Sequence, residues 1–139
     1  MLYSNILPMK RYFKILTLLL CTLLMACEDP TANTEELKQI VADFNQKCPQ
    51  TLDSETRIDG LEFKEPNTLT YKYTLLNLNV LTLDTHQFYI AMWPGLLSTI
   101  KVSAEMKKLR DNDATIEYDY RDKAGKPVYL FKIAPKDYK

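Results

Sequence analysis

The clearest pattern along the chain is a set of apolar residues at helical spacing. Five of them fall at positions i, i+3, i+4, i+7 and i+11 and therefore lie on one stripe of a helix: Leu37, Ile40, Val41, Phe44 and Cys48. The stripe predicts a helix from about Thr34 to Lys47. Thr34 suits the N-cap, and Pro49 is expected to end the helix.

Two runs after this helix alternate apolar and polar residues with a period of two. They cover Arg57 to Lys64 and Leu69 to Leu76, and Glu65-Pro66-Asn67 between them supplies turn residues. Alternation with β-branched and aromatic residues predicts strands, here joined as a hairpin. Gly60 interrupts the alternation of the first strand, so we expect a bulge there.

A second helical region follows the hairpin. Asp84 and Gln87 have the spacing of a capping box and open an apolar stretch. Pro94-Gly95 is expected to interrupt or kink this helix, which then continues from Leu96 to Leu109. The turn-prone residues Arg110 to Asp113 end it.

A second hairpin closes the chain. Ile116, Tyr118 and Tyr120 alternate with polar residues, a turn follows at Asp122 to Lys126, and the last strand runs from Val128 to Ile133. The element order is α-β-β-α-β-β. This order predicts an α+β fold with an antiparallel sheet that carries its helices on one face.

The last strand is apolar on both faces. Val128 and Leu130 share one face, while Tyr129, Phe131 and Ile133 share the other. A strand in a sheet that is covered on one side needs only one apolar face. Val128 and Leu130 are therefore predicted to lie at the centre of a partner-binding or self-association surface.

The N-terminus has the charge-then-apolar order of a secretory signal. Lys10, Arg11 and Lys14 precede an apolar run from Ile15 to Ala26. This run is about a dozen residues long, whereas a helix needs ~20 residues to span a bilayer, so a permanent anchor is disfavoured. Met9 stands directly before Lys10 and Arg11, which favours Met9 over Met1 as the start of translation.

The end of the apolar run, Leu24-Met25-Ala26-Cys27, resembles the lipobox of bacterial lipoprotein precursors. The resemblance implies cleavage between Ala26 and Cys27 and a diacylglycerol on the Cys27 sulfur. It divides the chain into a signal peptide (1–26), a short tether (27–33) and one domain (34–139). Such a tether holds the domain within roughly 20 Å of the lipid. Glu28 does not decide between the inner and the outer membrane.

Composition excludes several classes of function. The chain has only three glycines, 35 and 30 residues apart, so it has no Gly-rich phosphate loop. Its single histidine, His86, excludes a His-rich zinc site. Without residues 1–26 the chain has 15 basic and 18 acidic residues, a net charge of −3, which does not attract nucleic acid.

The candidate chemistry is sparse, and we expect no cofactor and no metal site. Asp111-Asn112-Asp113 begins like a calcium loop, but Glu117 comes too early to close it. Cys48 could act as a nucleophile with His86 as base and Asp43 or Asp84 as orienting acid. The helical stripe instead favours Cys48 as a small packed hydrophobe.

Two Tyr-x-Tyr strands, at residues 71–73 and 118–120, are the most distinctive feature of the domain. The tyrosines either pack toward the helices or form an amphipathic surface for a partner. The sequence as a whole predicts a non-enzymatic envelope protein, anchored in the cell membrane or outer membrane through acylated Cys27, that binds another envelope component. A structural or stress-related lipoprotein without a ligand is the alternative, and a thiol-dependent enzyme comes third.

Overall fold

The computed structural model describes the backbone of residues 30–139 and the side chains from Asn33 onward. The predicted signal peptide and Cys27 lie outside these residues. The helices are α1 (Pro30–Asn45), α2 (Thr85–Val102), α3 (Lys107–Asp111) and α4 (Pro135–Tyr138). The strands are β1 (Gln50–Thr51), β2 (Thr56–Lys64), β3 (Thr68–Leu75), β4 (Thr115–Asp122) and β5 (Pro127–Ile133). A 3-10 turn at Val80–Thr82 precedes α2.

The five strands form one sheet in the order β1-β2-β3-β4-β5. Both predicted hairpins are present, and the α+β class is confirmed. The expected antiparallel arrangement is wrong at one place, because β3 and β4 pair in parallel. A parallel pair needs a crossover connection of a dozen or more residues, and the helical segment between Leu75 and Thr115 provides one.

The register divides the sheet into two different faces. Tyr71 lies beside Tyr118 and Tyr73 beside Tyr120 on the face that the helices cover. Alternate residues, such as Thr70 beside Glu117, belong to the opposite face, which we call the open face. The tyrosine pairs therefore point toward the helices, the first of the two predicted arrangements.

Helix α1 begins and ends earlier than the sequence pattern predicts. It starts at Pro30, so Thr34 lies inside the helix and is not its N-cap. Proline suits the first helical position, because its missing N–H would have no partner there. The helix ends at Asn45, and Cys48 lies just beyond it.

Helix α2 begins as predicted but ends differently. The Asp84 carboxylate accepts hydrogen bonds from the backbone N–H groups of His86 and Gln87, at 2.9 and 3.1 Å. The helix runs through Pro94 without a break, so the interruption, one of the two expected effects of Pro94-Gly95, is wrong. It ends at Val102 rather than Leu109, because the Arg110 guanidinium reaches back to the carbonyl oxygens at its end.

Candidate functional site

A groove of about 630 Å³ opens between α1, the sheet and the segment that contains α3. Its floor is formed by β2 and β3, one wall by α1 and the other by residues 105–109. The lining residues are Ile40, Asp43, Phe44, Lys47, Cys48, Gln50, Leu52, Ile58, Tyr71, Tyr73, Glu105, Met106, Lys108 and Leu109. The groove therefore exists only where three separate segments of the chain meet.

The floor of the groove is aromatic. Phe44 of α1 stands edge-on to Tyr71, with ring centroids 5.5 Å apart. The Tyr71 hydroxyl lies 3.8 Å from the Met106 sulfur. Beside the floor, on β4, Tyr118 stacks on Tyr71 at 5.4 Å and Tyr120 stacks on Tyr73 at 4.9 Å. These contacts hold the rings in fixed positions, so the floor is a preformed apolar surface.

The hydroxyl groups of the floor are neutral hydrogen-bonding groups. Burial raises the pKa of Tyr73 to about 12, and it also raises the pKa of Tyr71. Neither phenol ionises near pH 7. They can donate or accept a hydrogen bond at the edge of an apolar occupant, but they are not acids or bases for catalysis.

The rim of the groove carries both signs of charge. Asp43 and Glu105 are acidic, and Lys47 and Lys108 are basic. The Asp43 carboxylate accepts a hydrogen bond from the Gln39 side chain at 2.8 Å. An apolar floor with a charged, solvent-exposed rim is the usual composition of a protein-binding site.

Cys48 lines the groove, but it is not an activated nucleophile. Burial raises the pKa of its thiol, and the negative charge of nearby Asp59 raises it further. A thiol with a raised pKa stays protonated at neutral pH and reacts slowly.

The other members of the proposed catalytic set lie elsewhere. His86 is exposed in the first turn of α2 and is not among the groove residues. Asp84 caps α2, and only Asp43 of the two candidate acids lines the groove. The structure therefore does not bring Cys48, His86 and an acid together in one pocket.

No metal-binding cluster of three His, Cys, Asp or Glu residues occurs within the part of the chain that the structure describes. The two aspartates of the calcium-like stretch form ion pairs instead. Asp111 pairs with Lys107 one helical turn away, and Asp113 pairs with Lys139.

Val128 and Leu130 do not share a face of the sheet, so the surface predicted from them does not exist as a unit. Leu130 is exposed, but Val128 belongs to the buried core. The cause is a register shift, since Tyr120 pairs with Tyr129 while Arg121 pairs with Pro127, which leaves Val128 as an extra residue. A bulge of this kind turns the strand locally, so the alternation that assigned Val128 to the outer face breaks there.

Ion pairs cover the open face of the sheet. Lys72 and Asp119 are register neighbours, yet Lys72 pairs with Glu62 at 2.9 Å and Asp119 pairs with Arg121 at 3.0 Å. Glu117 is buried among polar groups on the same face. The open face is therefore largely polar, and Leu130 is its exposed large hydrophobic residue.

The fold and the groove define a small α+β domain with a preformed apolar groove at its surface. The chain belongs to the family described as domain of unknown function (DUF8479), whose model matches residues 31–130. No curated protein matches the chain by sequence.

Solved structures share the fold at low sequence identity. A protein of Pseudomonas aeruginosa described as secreted has a TM-score of 0.68 at 11% identity, covering 82% of this chain and 99% of its own. EpsS, a type 2 secretion system pilotin of Vibrio vulnificus, has a TM-score of 0.65 at 8% identity, covering 82% and 98%. The type II secretion system pilotin AspS of Vibrio cholerae has a TM-score of 0.55 at 10% identity, covering 77% and 96%.

Sequence reasoning did not find the groove. Of the two Tyr-x-Tyr strands, the one with Tyr71 and Tyr73 forms part of the floor, but no local pattern shows that α1 and residues 105–109 stand on either side of it. Leu52, an apolar residue in an irregular segment, is a further lining position that is exposed in the structure and that the sequence patterns did not single out.

Proposed function

We propose that this chain is a lipid-anchored protein of the bacterial cell envelope whose groove holds a short segment of another envelope protein. The observation that carries the proposal is the groove itself, with its fixed aromatic floor and its rim of mixed charge. Such a site suits a peptide with apolar side chains on one side and polar groups on the other. It does not suit a phosphate or a metal ion, because its charges lie only on the rim and have both signs.

The anchor follows from the sequence. The lipobox-like stretch that ends at Cys27 supports acylation of this cysteine after cleavage at Ala26. Within residues 30–139 no helix is both long and apolar enough to cross a bilayer. Acylated Cys27 is then the link to the membrane, and the domain faces away from the cytoplasm.

The structural relatives support a partner that is itself a protein of the cell envelope. Two of them are pilotins of type II secretion systems. They share only the fold with this chain, but they support a partner that belongs to an envelope secretion apparatus. They also support a binding role rather than an enzymatic one, in agreement with the protonated thiol of Cys48.

Leu52 and Leu130 provide a matched test of the groove. Their side chains are exposed to nearly the same extent, 51% and 53%, but Leu52 lines the groove and Leu130 lies on the open face. A photo-crosslinking residue at Leu52 in intact cells should capture a specific envelope protein, and Leu52→Lys should reduce co-purification of that protein. A photo-crosslinking residue at Leu130 should capture no such protein, and Leu130→Lys should leave the co-purification unchanged.

The reverse result would assign partner binding to the open face instead of the groove. If neither position captures a protein, the alternative of a structural or stress-related lipoprotein without a ligand replaces the proposal. The anchor is tested separately, because Cys27→Ala should abolish metabolic labelling with a fatty acid and release the chain from membranes. Labelling that persists in Cys27→Ala would exclude the lipobox assignment.

A further inference from the structure

We infer that two copies of this chain pair through the outer edge of β5, in antiparallel orientation, with Leu130 opposite Leu130 of the second copy. We call this surface, the outer edge of β5 together with Leu130, the β5 edge. The pairing joins the two sheets into one continuous sheet. It goes beyond the proposed peptide groove, and one of its supporting steps rests on the proposed acylation of Cys27.

The two sides of the sheet are protected to different degrees. The outer edge of β2 is covered by the two-residue strand β1 and by the Asn45 side chain. The outer edge of β5 is seven residues long, and among the described residues its backbone groups have no hydrogen-bond partner outside the β4 ladder. Pro127 and the bulge at Val128 blunt only its first end. An uncovered edge of this kind is a template for pairing with another strand.

The sequence of β5 is self-complementary about Leu130. This residue is the middle of the strand, and its side chain is 53% exposed. In antiparallel pairing centred on Leu130 the two strands overlap over their full length, and each Leu130 covers the other. Tyr129 then lies beside Phe131 of the second copy, a cross-strand aromatic pair of the kind that stabilises sheets. Lys132 is the one charged residue of β5, and its position opposite Val128 keeps like charges apart.

Charge complementarity at both ends of the strand favours a second copy as the occupant. In the same register Lys126, directly before β5, lies opposite Ala134 of the second copy, directly after β5. The Ala134 N–H donates to the Asp137 carboxylate at 2.8 Å, so this carboxylate lies close to Lys126 of the other chain. Neither Lys126 nor Asp137 forms an ion pair within the described part of the chain. Two-fold symmetry makes this contact twice.

The helices above the sheet fit the same arrangement. Phe88 of α2 contacts Tyr120 of β4 and Phe131 of β5, with ring centroids 5.4 and 5.9 Å apart, so α2 lies above these two strands. Because neighbouring strands are about 4.8 Å apart, α2 and its copy would lie roughly 10 Å apart, the distance between packed helices. Ile90, which is 50% exposed, follows Tyr89, a residue in contact with β5, and supplies an apolar side chain for this helix contact.

The pairing is compatible with a membrane anchor and with the groove. Directly opposite residues of antiparallel strands point to the same side of the sheet, so both copies carry their helices on one side. Both α1 helices then begin in the same layer, and the two short tethers to acylated Cys27 reach one bilayer. Anchoring in one plane raises the local concentration, which favours a small interface. The groove is built on β2 and β3, so each copy keeps its groove open.

Disulfide crosslinking in cells tests the register. The full-length chain carries Cys48→Ala, and a cysteine is introduced at one position of β5. Leu130→Cys should give a disulfide-linked dimer under mild oxidation, because directly opposite Cα atoms are about 4.5–5.5 Å apart. Lys132→Cys is the matched control on the same strand and face. Its copy lies four residues along the strand, about 13 Å away, so the yield of dimer should be severalfold lower.

The contact between Lys126 and Asp137 is tested with the same reporter. In the Leu130→Cys chain, Lys126→Glu places a second negative charge beside Asp137 of the other copy and should lower the yield of dimer severalfold. Lys123→Glu changes an exposed lysine of the same turn and should leave the yield unchanged. The Cys48→Ala chain without an introduced cysteine gives the background, and circular dichroism of each purified variant checks the fold.

A dimer at neither position, or equal yields at Leu130→Cys and Lys132→Cys, overturns the inference. It is also overturned if folded Lys126→Glu lowers the yield no more than Lys123→Glu. The anchor and the groove are judged by other readouts. If fatty-acid labelling of Cys27 fails while Leu130→Cys still gives the dimer, the anchor is wrong and the pairing stands. The same holds for the groove if a photo-crosslinker at Leu52 captures no envelope protein.

Discussion

Asn45 and Leu61 exchange two hydrogen bonds, one in each direction. The Asn45 side-chain amide donates to the Leu61 carbonyl oxygen at 2.8 Å, and the Leu61 N–H donates to the Asn45 side-chain oxygen at 2.8 Å. The amide thus pairs with the outer edge of β2 as a neighbouring strand would. The two-residue strand β1 covers only residues 57 and 58 of that edge, so Asn45 continues its protection.

The absence of a side chain at Gly60 leaves room for the Asn45 side chain to pair with Leu61. A Cβ at Gly60 would lie 3.1 Å from the Asn45 side-chain oxygen, closer than an ordinary contact. We expect Asn45→Ala to cost about 1–2 kcal/mol, because two hydrogen bonds are lost. Gly60→Ala should also destabilise the protein, but by less when Asn45 is already alanine. Urea unfolding of the four proteins measures this coupling, and strictly additive effects would contradict it.

We expect loss of the hydroxyl group to have different effects on stability at Tyr118 and at Tyr138. The Tyr118 hydroxyl is buried and has no hydrogen-bond partner among the described residues, whereas the Tyr138 hydroxyl donates to the Ala114 carbonyl oxygen at 2.8 Å. Tyr118→Phe removes an unsatisfied polar atom and should be neutral or stabilising by up to ~1 kcal/mol. Tyr138→Phe should cost ~1 kcal/mol. Thermal unfolding of both variants measures the difference, and a larger loss for Tyr118→Phe would contradict the assignment.

Glu117 predicts a dependence of stability on pH. Burial alone would raise the pKa of this carboxyl, but the Thr70 hydroxyl donates to it at 2.9 Å and Lys64 and Lys132 lie 3.4 Å away, so its pKa is lowered below the ordinary 4.5. A lowered pKa stabilises the fold above the unfolded-state pKa. This stabilisation is lost as pH falls through the folded-state pKa.

Glu117→Gln should therefore cost about 1–2 kcal/mol at neutral pH, and the difference from the parent should shrink as the pH falls below the unfolded-state pKa of 4.5 and through the lower folded-state pKa. Denaturant titrations at several pH values measure both the loss of stability at neutral pH and its decrease in acid. Glu62→Gln is the control, because its partner Lys72 and its own carboxylate are both exposed, and an effect within ~0.5 kcal/mol is expected. A loss in Glu117→Gln that stays constant down to acid pH would show that the carboxylate charge is not its cause.

Cys48 should be less reactive in the folded chain than in the unfolded one. Burial and the nearby Asp59 carboxylate raise its pKa, so less thiolate is present at a given pH. A Cys27→Ala chain without its signal peptide leaves Cys48 as the only thiol, and a water-soluble thiol reagent then measures its rate with and without urea. Cys48→Ala should cost ~1 kcal/mol. Faster labelling in the folded state would revive a redox or catalytic role.

Local patterns in the sequence were sufficient for the local elements. The stripe of α1, the two hairpins, the bulge at Gly60 and the Asp84 cap each depend on residues a few positions apart. The end of α2 was not predictable in this way, because its last carbonyl oxygens accept hydrogen bonds from Arg110, which reaches back across a loop. Pro94 removes one backbone donor, and the helix continues past it.

The sequence did not predict contacts between segments that are far apart along the chain. The parallel pairing of β3 with β4 depends on where the helical crossover returns the chain. The groove likewise needs Phe44, Tyr71 and Met106 to meet, although they are far apart in sequence. No alternation or helical period carries information about such meetings, which are decided by packing of the whole domain.

The bulge in β5 predicts that substitutions at Val128 and Leu130 have different effects on stability. The alternation of the sequence had placed both residues on one outer surface. Val128→Lys places a charge in the buried core and should cost more than ~3 kcal/mol or prevent folding. Leu130→Lys changes an exposed residue and should stay within ~0.5 kcal/mol of the parent. Urea unfolding of the two single variants compares them directly. Equal stability of the two variants would mean that Val128 faces solvent after all, and that the register shift between Tyr120 and Arg121 does not turn it inward.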